Sequence, residues 1–253
     1  MSDSLRGPGP LHGLWSTTAH PAVIDVAATL GPDFVCLDAQ HGTDLSRLTA
    51  NIFTTMAYYD VPALVRVAQN DPVDIGRALD LGATGVMVPM IDTGEDAARA
   101  VAACRYAPVG TRSYGMQTTR VDPLAGDYRP VCATQIETSA ALENIDEIAS
   151  IDGVDWLYIG PADLGLAVGG VPAPDVTKVF DGSHPLATEL GDAFKAVVEA
   201  AAAHGKLAGL HTSSGQATVI AEKQGFAVAC VAADLAEMRS GMANQLNLVR
   251  NSD

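Results

Sequence analysis

An α/β fold, a (β/α)8 barrel in a single domain, is predicted by three observations. Short runs rich in β-branched and aromatic residues alternate with longer Ala-rich amphipathic stretches from one end of the chain to the other. The alternation counts out to eight of each kind, the number a closed barrel requires. The 253 residues carry no Pro/Gly/Ser-rich linker or charge block that would divide them, and about 250 residues is a usual length for such a barrel.

In order, the expected strands are 11–14, 34–37, 63–67, 85–88, 131–136, 156–159, 207–210 and 228–231, and the expected helices 21–29, 44–58, 72–81, 94–104, 138–149, 187–204, 214–224 and 233–249. Local signals set several boundaries. Asp71-Pro72 places a capping carboxylate before a proline at the first helical position, His204-Gly205 reads as a helix end, and Ser213-Ser214 as a helix start. Residues 1–10 are expected to form a flexible N-terminus, and 233–249 a C-terminal helix. Two connections exceed the usual length and invite a role in shaping a pocket: 105–130, with Arg105, Arg112, Arg120 and Arg129, and the Gly/Pro-rich 165–185.

Composition excludes several classes of partner. With 30 Asp plus Glu against 15 Lys plus Arg, the net charge of −15 repels nucleic acid and anionic membranes. Hydrophobic residues make up 48% and charged residues only 18%, so the surface is sparingly charged, as in a chain that buries part of itself in a homo-oligomer. Cys36, Cys104, Cys132 and Cys230 are widely spaced, with no CxxC or Cys/His metal spacing, and are expected to be buried free thiols in a reducing compartment. The opening MSDSLRGPGP lacks an apolar core of signal-peptide length and no stretch reaches 18 uninterrupted apolar residues, so the expected location is cytoplasmic.

Barrel chemistry sits where strands end, and two segments there stand out. Thr134-Gln135-Ile136-Glu137 and Tyr158-Ile159-Gly160-Pro161-Ala162-Asp163 each carry an apolar run into a carboxylate. On neighbouring parallel strands roughly 4.8 Å apart, Glu137 and Asp163 can grip one cation; each acid taken alone would read as solvated loop charge. Arg66 is embedded in Leu64-Val65-Arg66-Val67, where an unpaired guanidinium is costly, so its fork is assigned to an anionic substrate, with an ion pair to Asp38 as the alternative. His41, after the second strand, suits proton transfer near neutrality, the alternative being a hydrogen-bonded loop histidine. His211 and His20 are weaker candidates for pocket lining or helix starts, and His204 for a helix-end partner. The chain has only Lys178, Lys195, Lys206 and Lys223, none placed for a Schiff base at the upper pocket, so a metal is the expected electron sink. No GxSxG, P-loop or Rossmann fingerprint is found.

The succession Gly13-Leu14-Trp15-Ser16, Leu37-Asp38-Ala39-Gln40-His41, Val65-Arg66-Val67, Leu79-Asp80-Leu81-Gly82-Ala83, Val88-Pro89-Met90-Ile91-Asp92-Thr93, Arg105 to Arg112, Gln135-Ile136-Glu137 and Ile159-Gly160-Pro161-Ala162-Asp163-Leu164 resembles the HpcH/HpaI aldolase family over roughly residues 13 to 235. These are metal-dependent class II pyruvate aldolases on a modified (β/α)8 barrel. The resemblance implies that Glu137 and Asp163 bind a divalent ion (Mg, Mn, or Co/Zn) with Gln135 beside it, and that Arg66 holds pyruvate and its developing enolate. It implies proton transfer by His41, oriented by Asp80, which in this family can come from an adjacent subunit. Trp15 would line the pocket, and Gly160, Pro161, Ala162 and Asp163 would offer backbone donors to the pyruvate carboxylate. A hexamer, a trimer of dimers exchanging the last helix, is the implied assembly. The chain departs from the pattern at Gln40, where many members carry Glu, and in 165–185, with Asp175, Lys178 and Asp181 as lid candidates. The expected activity is reversible cleavage of a 4-hydroxy-2-oxo acid to pyruvate and an aldehyde, with oxaloacetate decarboxylation as a side activity of the same site. A citramalyl- or malyl-CoA-type lyase and a non-catalytic keto-acid-binding barrel are the alternatives.

Overall fold

The computed structural model of the chain describes residues 2–7, 9–115 and 129–251. Eight parallel strands, β1 (Leu11–Ser16), β2 (Phe34–Asp38), β3 (Ala63–Arg66), β4 (Gly85–Val88), β5 (Val131–Ile136), β6 (Trp156–Ile159), β7 (Leu207–His211) and β8 (Val228–Ala233), close in sequence order into a barrel. Around them run α1 (Pro21–Thr29), α2 (Ala50–Tyr58), α3 (Pro72–Asp80), α4 (Gly94–Cys104), α5 (Ser139–Glu143), α6 (Ile145–Ser150), α7 (Pro161–Gly169), α8 (Thr177–Phe180), α9 (Ala187–Ala203), α10 (Gly215–Lys223) and α11 (Asp234–Arg250).

The boundary signals act as expected. Asp71 accepts from the N–H groups of Val73 and Asp74 ahead of Pro72, Ser214 accepts from Ala217 N, and Gly205 follows α9 at a φ of 64°. Because side chains alternate along a strand, residues of one parity line the lumen and those of the other meet the helices. Phe34, Cys36, Leu64, Met87, Ala133, Trp156, Tyr158 and Cys230 pack together inside the barrel, while Val35, Leu37, Val65, Val86, Leu157 and Ile159 join the larger core between strands and helices. Strands β2 to β6 are buried on both faces along their whole length, which is why they read as continuous apolar runs.

Three regions differ from the sequence reading. Residues 2–6, expected to be flexible, form a 3-10 turn (Ser2–Arg6) that closes the lower end of the barrel. Leu5 is fully buried in the lumen, its carbonyl accepts from Trp156 Nε1 at 2.9 Å, and Arg6 pairs with Asp155 at 2.7 Å. The segment 165–185 is not a loop throughout: α7 continues to Gly169 and α8 adds a further turn. Within it, Asp175 and Asp181 accept from the backbone N–H of Thr177 and Ser183, a turn-forming role.

Of the segment 105–130, the described residues 105–115 follow α4 and 129–130 lead into β5, so these residues stand on the amino-terminal side of the barrel rather than at the rim where chemistry sits. Its described arginines pair there: Arg105 with Asp152 at 3.6 Å, Arg112 with Asp80 at 2.6 Å and Arg129 with Asp155 at 3.6 Å. Arg120 lies outside the described residues.

Candidate active site

The strand parity that fills the lumen also selects the site. Two residues beyond lumen-lining Cys36, Leu64, Ala133, Tyr158, Gly13 and Gly209 come Asp38, Arg66, Gln135, Gly160, Trp15 and His211, and Glu137 follows Gln135 at the same spacing. Register carries them to one level, with Asp38 beside Arg66 and His211 beside Cys230.

On the β5–β6 side, Glu137 and Gln135 are each only 2% exposed, and each has a buried oxygen without a hydrogen-bond partner among the described residues: Glu137 Oε2 and Gln135 Oε1. The other Glu137 oxygen, Oε1, accepts from Met90 N at 2.9 Å. Met90 donates from a left-handed conformation, φ 54°, a placement that carries no signal in the sequence. Burial raises the Glu137 carboxyl to about 7, against the Met90 hydrogen bond and with added repulsion from Asp163. A Cβ at Gly160 would collide with Glu137 Oε2 and come close to Gln135 Nε2, so the absence of a side chain there keeps the cradle open. Asp163 stands exposed in the first turn of α7, whose N-terminus has no side-chain cap. Pro161 has no N–H to give, which leaves Ala162 and Asp163 as the free donors of that turn.

A divalent cation fits this donor set. Two unpartnered buried oxygens and an exposed carboxylate form an oxygen-only, anionic corner of the kind hard ions such as Mg or Mn prefer. Among the described residues no group of three or more His, Cys, Asp or Glu could hold a metal alone, so Glu137 and Asp163 would leave further positions to substrate and water.

On the β1–β3 side, the Arg66 guanidinium grips Asp38 with both arms, Nε to Oδ1 at 2.9 Å and Nη2 to Oδ2 at 2.7 Å. The ion pair raised as the alternative for Arg66 is therefore made in this structure. Among the described residues Nη1 has no partner, which makes it the arm left for a substrate oxygen. Burial by itself would raise the Asp38 carboxyl, but the Arg66 hydrogen bonds and charge, with the N–H groups of His41 and Gln40, hold it below its ordinary value. Asp38 thus ties together Arg66, Trp15 Nε1 at 3.3 Å and the turn that presents His41, whose own ring is exposed. Trp15 lies under the Arg66 guanidinium, 4.8 Å from ring centroid to Cζ, and meets the His211 ring edge-on at 4.7 Å.

Asp80 is not brought to His41 within one chain. As the last residue of α3 it sits at the opposite end of the barrel, paired with Arg112. Asp38 and Tyr158 were not singled out as site residues from the sequence, although parity along β2 and β6 could have found both.

A closed parallel barrel that gathers two unpartnered oxygens, a guanidinium and two imidazoles at its carboxyl rim has the frame of a barrel enzyme. The HpcH/HpaI aldolase/citrate lyase family model matches residues 11–239. The chain is 38% identical over 182 residues to the 4-hydroxy-2-oxovalerate aldolase of Novosphingobium aromaticivorans, covering 69% of each chain. It is 34% identical over 249 residues to the 2-dehydro-3,6-dideoxy-6-sulfogluconate aldolase of Pseudomonas putida, covering 95% of this chain and 92% of that one. A crystal structure of an HpcH/HpaI aldolase/citrate lyase family protein from Burkholderia cenocepacia superposes with a TM-score of 0.85 at 29% identity, over 99% of this chain and 98% of that one. The chain belongs to the HpcH/HpaI aldolase/citrate lyase family, and it is a carbon–carbon lyase.

Proposed function

We propose that the enzyme is a divalent-metal-dependent aldolase that reversibly cleaves a 4-hydroxy-2-oxo acid to pyruvate and an aldehyde. The observation that carries this reading is the pair of buried oxygens without a partner among the described residues, Gln135 Oε1 and Glu137 Oε2, the latter facing Gly160, on the same rim as Arg66. A divalent ion held by Glu137 and Asp163 would supply Lewis-acid polarisation of a 2-keto oxygen.

The chain's own groups account for the remaining steps. The N–H groups of Ala162 and Asp163, at the α7 N-terminus, receive the substrate carboxylate. Arg66 Nη1 offers a fixed charge where the keto oxygen becomes negative, and the Asp38 grip prevents the guanidinium from turning away. His41, directly or through water, takes the proton from the C4 hydroxyl. The C3–C4 bond then breaks, its electron pair passing to C3 and the keto oxygen while C4 leaves as the aldehyde. Protonation of C3 gives pyruvate, and the reverse sequence gives condensation.

Arg66→Ala and Glu137→Gln are each expected to lose at least about a hundredfold in cleavage rate, the usual magnitude for removing an electrostatic contact made at the transition state. Near-normal rates on a panel of 4-hydroxy-2-oxo acids in either variant would overturn the assignment.

A further inference from the structure

Behind the Glu137 carboxylate, a second set of contacts joins two connections of the barrel: residues 89–93, from β4 to α4, and 137–138, from β5 to α5. Met90 N–H donates to Glu137 Oε1 at 2.9 Å, and a little further along both segments the Thr138 hydroxyl donates to Asp92 Oδ1. The same hydroxyl accepts from Ala141 N at 3.0 Å as the cap of α5, so its single proton is left for Asp92. Asn144, between α5 and α6, adds a third bond across the gap, Nδ2 to the Asp92 carbonyl at 2.9 Å. On its other side the loop is tied to the first turn of α4, where Asp96 Oδ2 accepts from Asp92 N at 3.3 Å and Thr93 N at 3.1 Å.

These bonds bear on the metal site through the conformation that Met90 keeps. Its φ of 54° is unfavourable for any residue with a Cβ, and Met90 is 53% exposed, so little side-chain packing holds it there. Such a backbone persists only where its surroundings over-determine it. For Met90 those surroundings are the Glu137 carboxylate and the anchored residue two positions on, Asp92. With Asp92 released, Met90 can relax to negative φ, which turns its N–H away from Oε1 and frees the Glu137 carboxylate to rotate.

On the metal-dependent reading above, on which this rests, we infer that Asp92 and Thr138 are positioning residues for the metal ligand Glu137. Their hydrogen bond holds the loop from which Met90 occupies Oε1, and so keeps Oε2, the oxygen without a partner among the described residues, turned to the divalent ion. Asp92 serves here as a hydrogen-bond acceptor and not as a charge, which separates it from the acids that would bind the ion.

The test is Mn binding to the metal-free protein by calorimetry, with circular dichroism as the check that each variant is folded. Asp92→Ala is expected to weaken Mn binding about tenfold, a typical cost of removing a ligand's support. Asp92→Asn, which keeps the acceptor oxygen and loses the charge, should recover most of that loss. Thr138→Val should weaken binding as Asp92→Ala does, and Thr138→Ser, which keeps the hydroxyl, should not. Because the two side chains act through one bond, combining Asp92→Ala with Thr138→Val should weaken binding no further than the more damaging single substitution. If Asp92→Ala does not fold, Thr138→Val against Thr138→Ser carries the comparison. Unchanged affinity in Asp92→Ala and Thr138→Val, or effects that multiply when the two are combined, overturns the inference and leaves the metal reading in place. Equal losses in Asp92→Asn and Asp92→Ala overturn it as well, by making charge the cause. Failure of the unmutated protein to bind Mn, Mg or Co overturns the metal-dependent reading and this inference with it.

Discussion

Asp38 is the residue on which the β1–β3 half of the site depends. It is 3% exposed and accepts from Arg66, Trp15, Gln40 and His41 together. Removing one partner of a buried ion pair strands the other, so Asp38→Ala is expected to cost about 3–5 kcal/mol in a denaturant titration. His211 gives a pH signature of its own. Its folded pKa of about 4 lies below the ordinary 6.5, so the unfolded chain binds more protons between those values. Its contribution is present above about pH 6.5 and is lost as the pH falls to 4, at most about 3 kcal/mol for a group partly open to water. Glu137 acts in the opposite sense in metal-free protein: its raised carboxyl costs stability as the pH rises towards 7. The difference between unmutated protein and His211→Leu isolates the histidine, and thermal unfolding from pH 4 to 7 should show that difference shrinking on acidification. At this scale the sequence was informative about identity and less so about pairing. Arg66 in an apolar run signalled a functional cation, but only the Asp38↔Arg66 register shows that its fork is already engaged.

Strands β1, β2, β3, β5, β6 and β7 contribute to the site through their last inward-facing positions or the residue just beyond, and the β6–α7 junction shows how little tolerance there is. Gly160 has a φ of −93°, open to any residue, so an alanine there meets no backbone strain. Its Cβ would instead collide with Glu137 Oε2. Gly160→Ala is therefore expected to keep its circular dichroism spectrum while weakening Mn binding by about tenfold to a hundredfold in calorimetry, a typical cost of disturbing a ligand's support. Unchanged affinity would show that Glu137 Oε2 does not face the ion. All eight strands and most helices were legible because apolar period and capping residues are local properties. The turn Ser2–Arg6 was not, since what orders it is distant: the lumen around Leu5 and the carboxylate of Asp155. For the described residues of 105–130 length alone is no guide to position, because which end of a strand a connection joins decides the side of the barrel on which it starts and ends.

For the whole molecule, the unfinished part is α11. None of its described residues is buried, yet Leu235, Met238, Met242 and Leu246 fall at helical spacing along one face, 44–61% exposed. An apolar stripe of this kind is expected to be covered by another subunit, in keeping with the sparse surface charge. Asp234 anchors the start of the helix, accepting from Ser16, Thr17 and Thr18 at the rim. Replacing Met238, Met242 and Leu246 together by Ser is expected to lower the oligomeric mass in light scattering; an unchanged mass would place the subunit contact elsewhere. Such a contact is also what the resemblance-based role of Asp80 at His41 requires, because within one chain the two lie at opposite ends of the barrel.

Proton NMR of pyruvate in D2O tests the central claim most directly, because pyruvate is the one reactant shared by every 4-hydroxy-2-oxo acid cleavage. With Mg or Mn the account predicts loss of the methyl signal through deuterium exchange, suppressed by excess EDTA and abolished in Arg66→Ala. Exchange that persists in EDTA or in Arg66→Ala, or no exchange with any divalent ion, would contradict enolate formation at this rim.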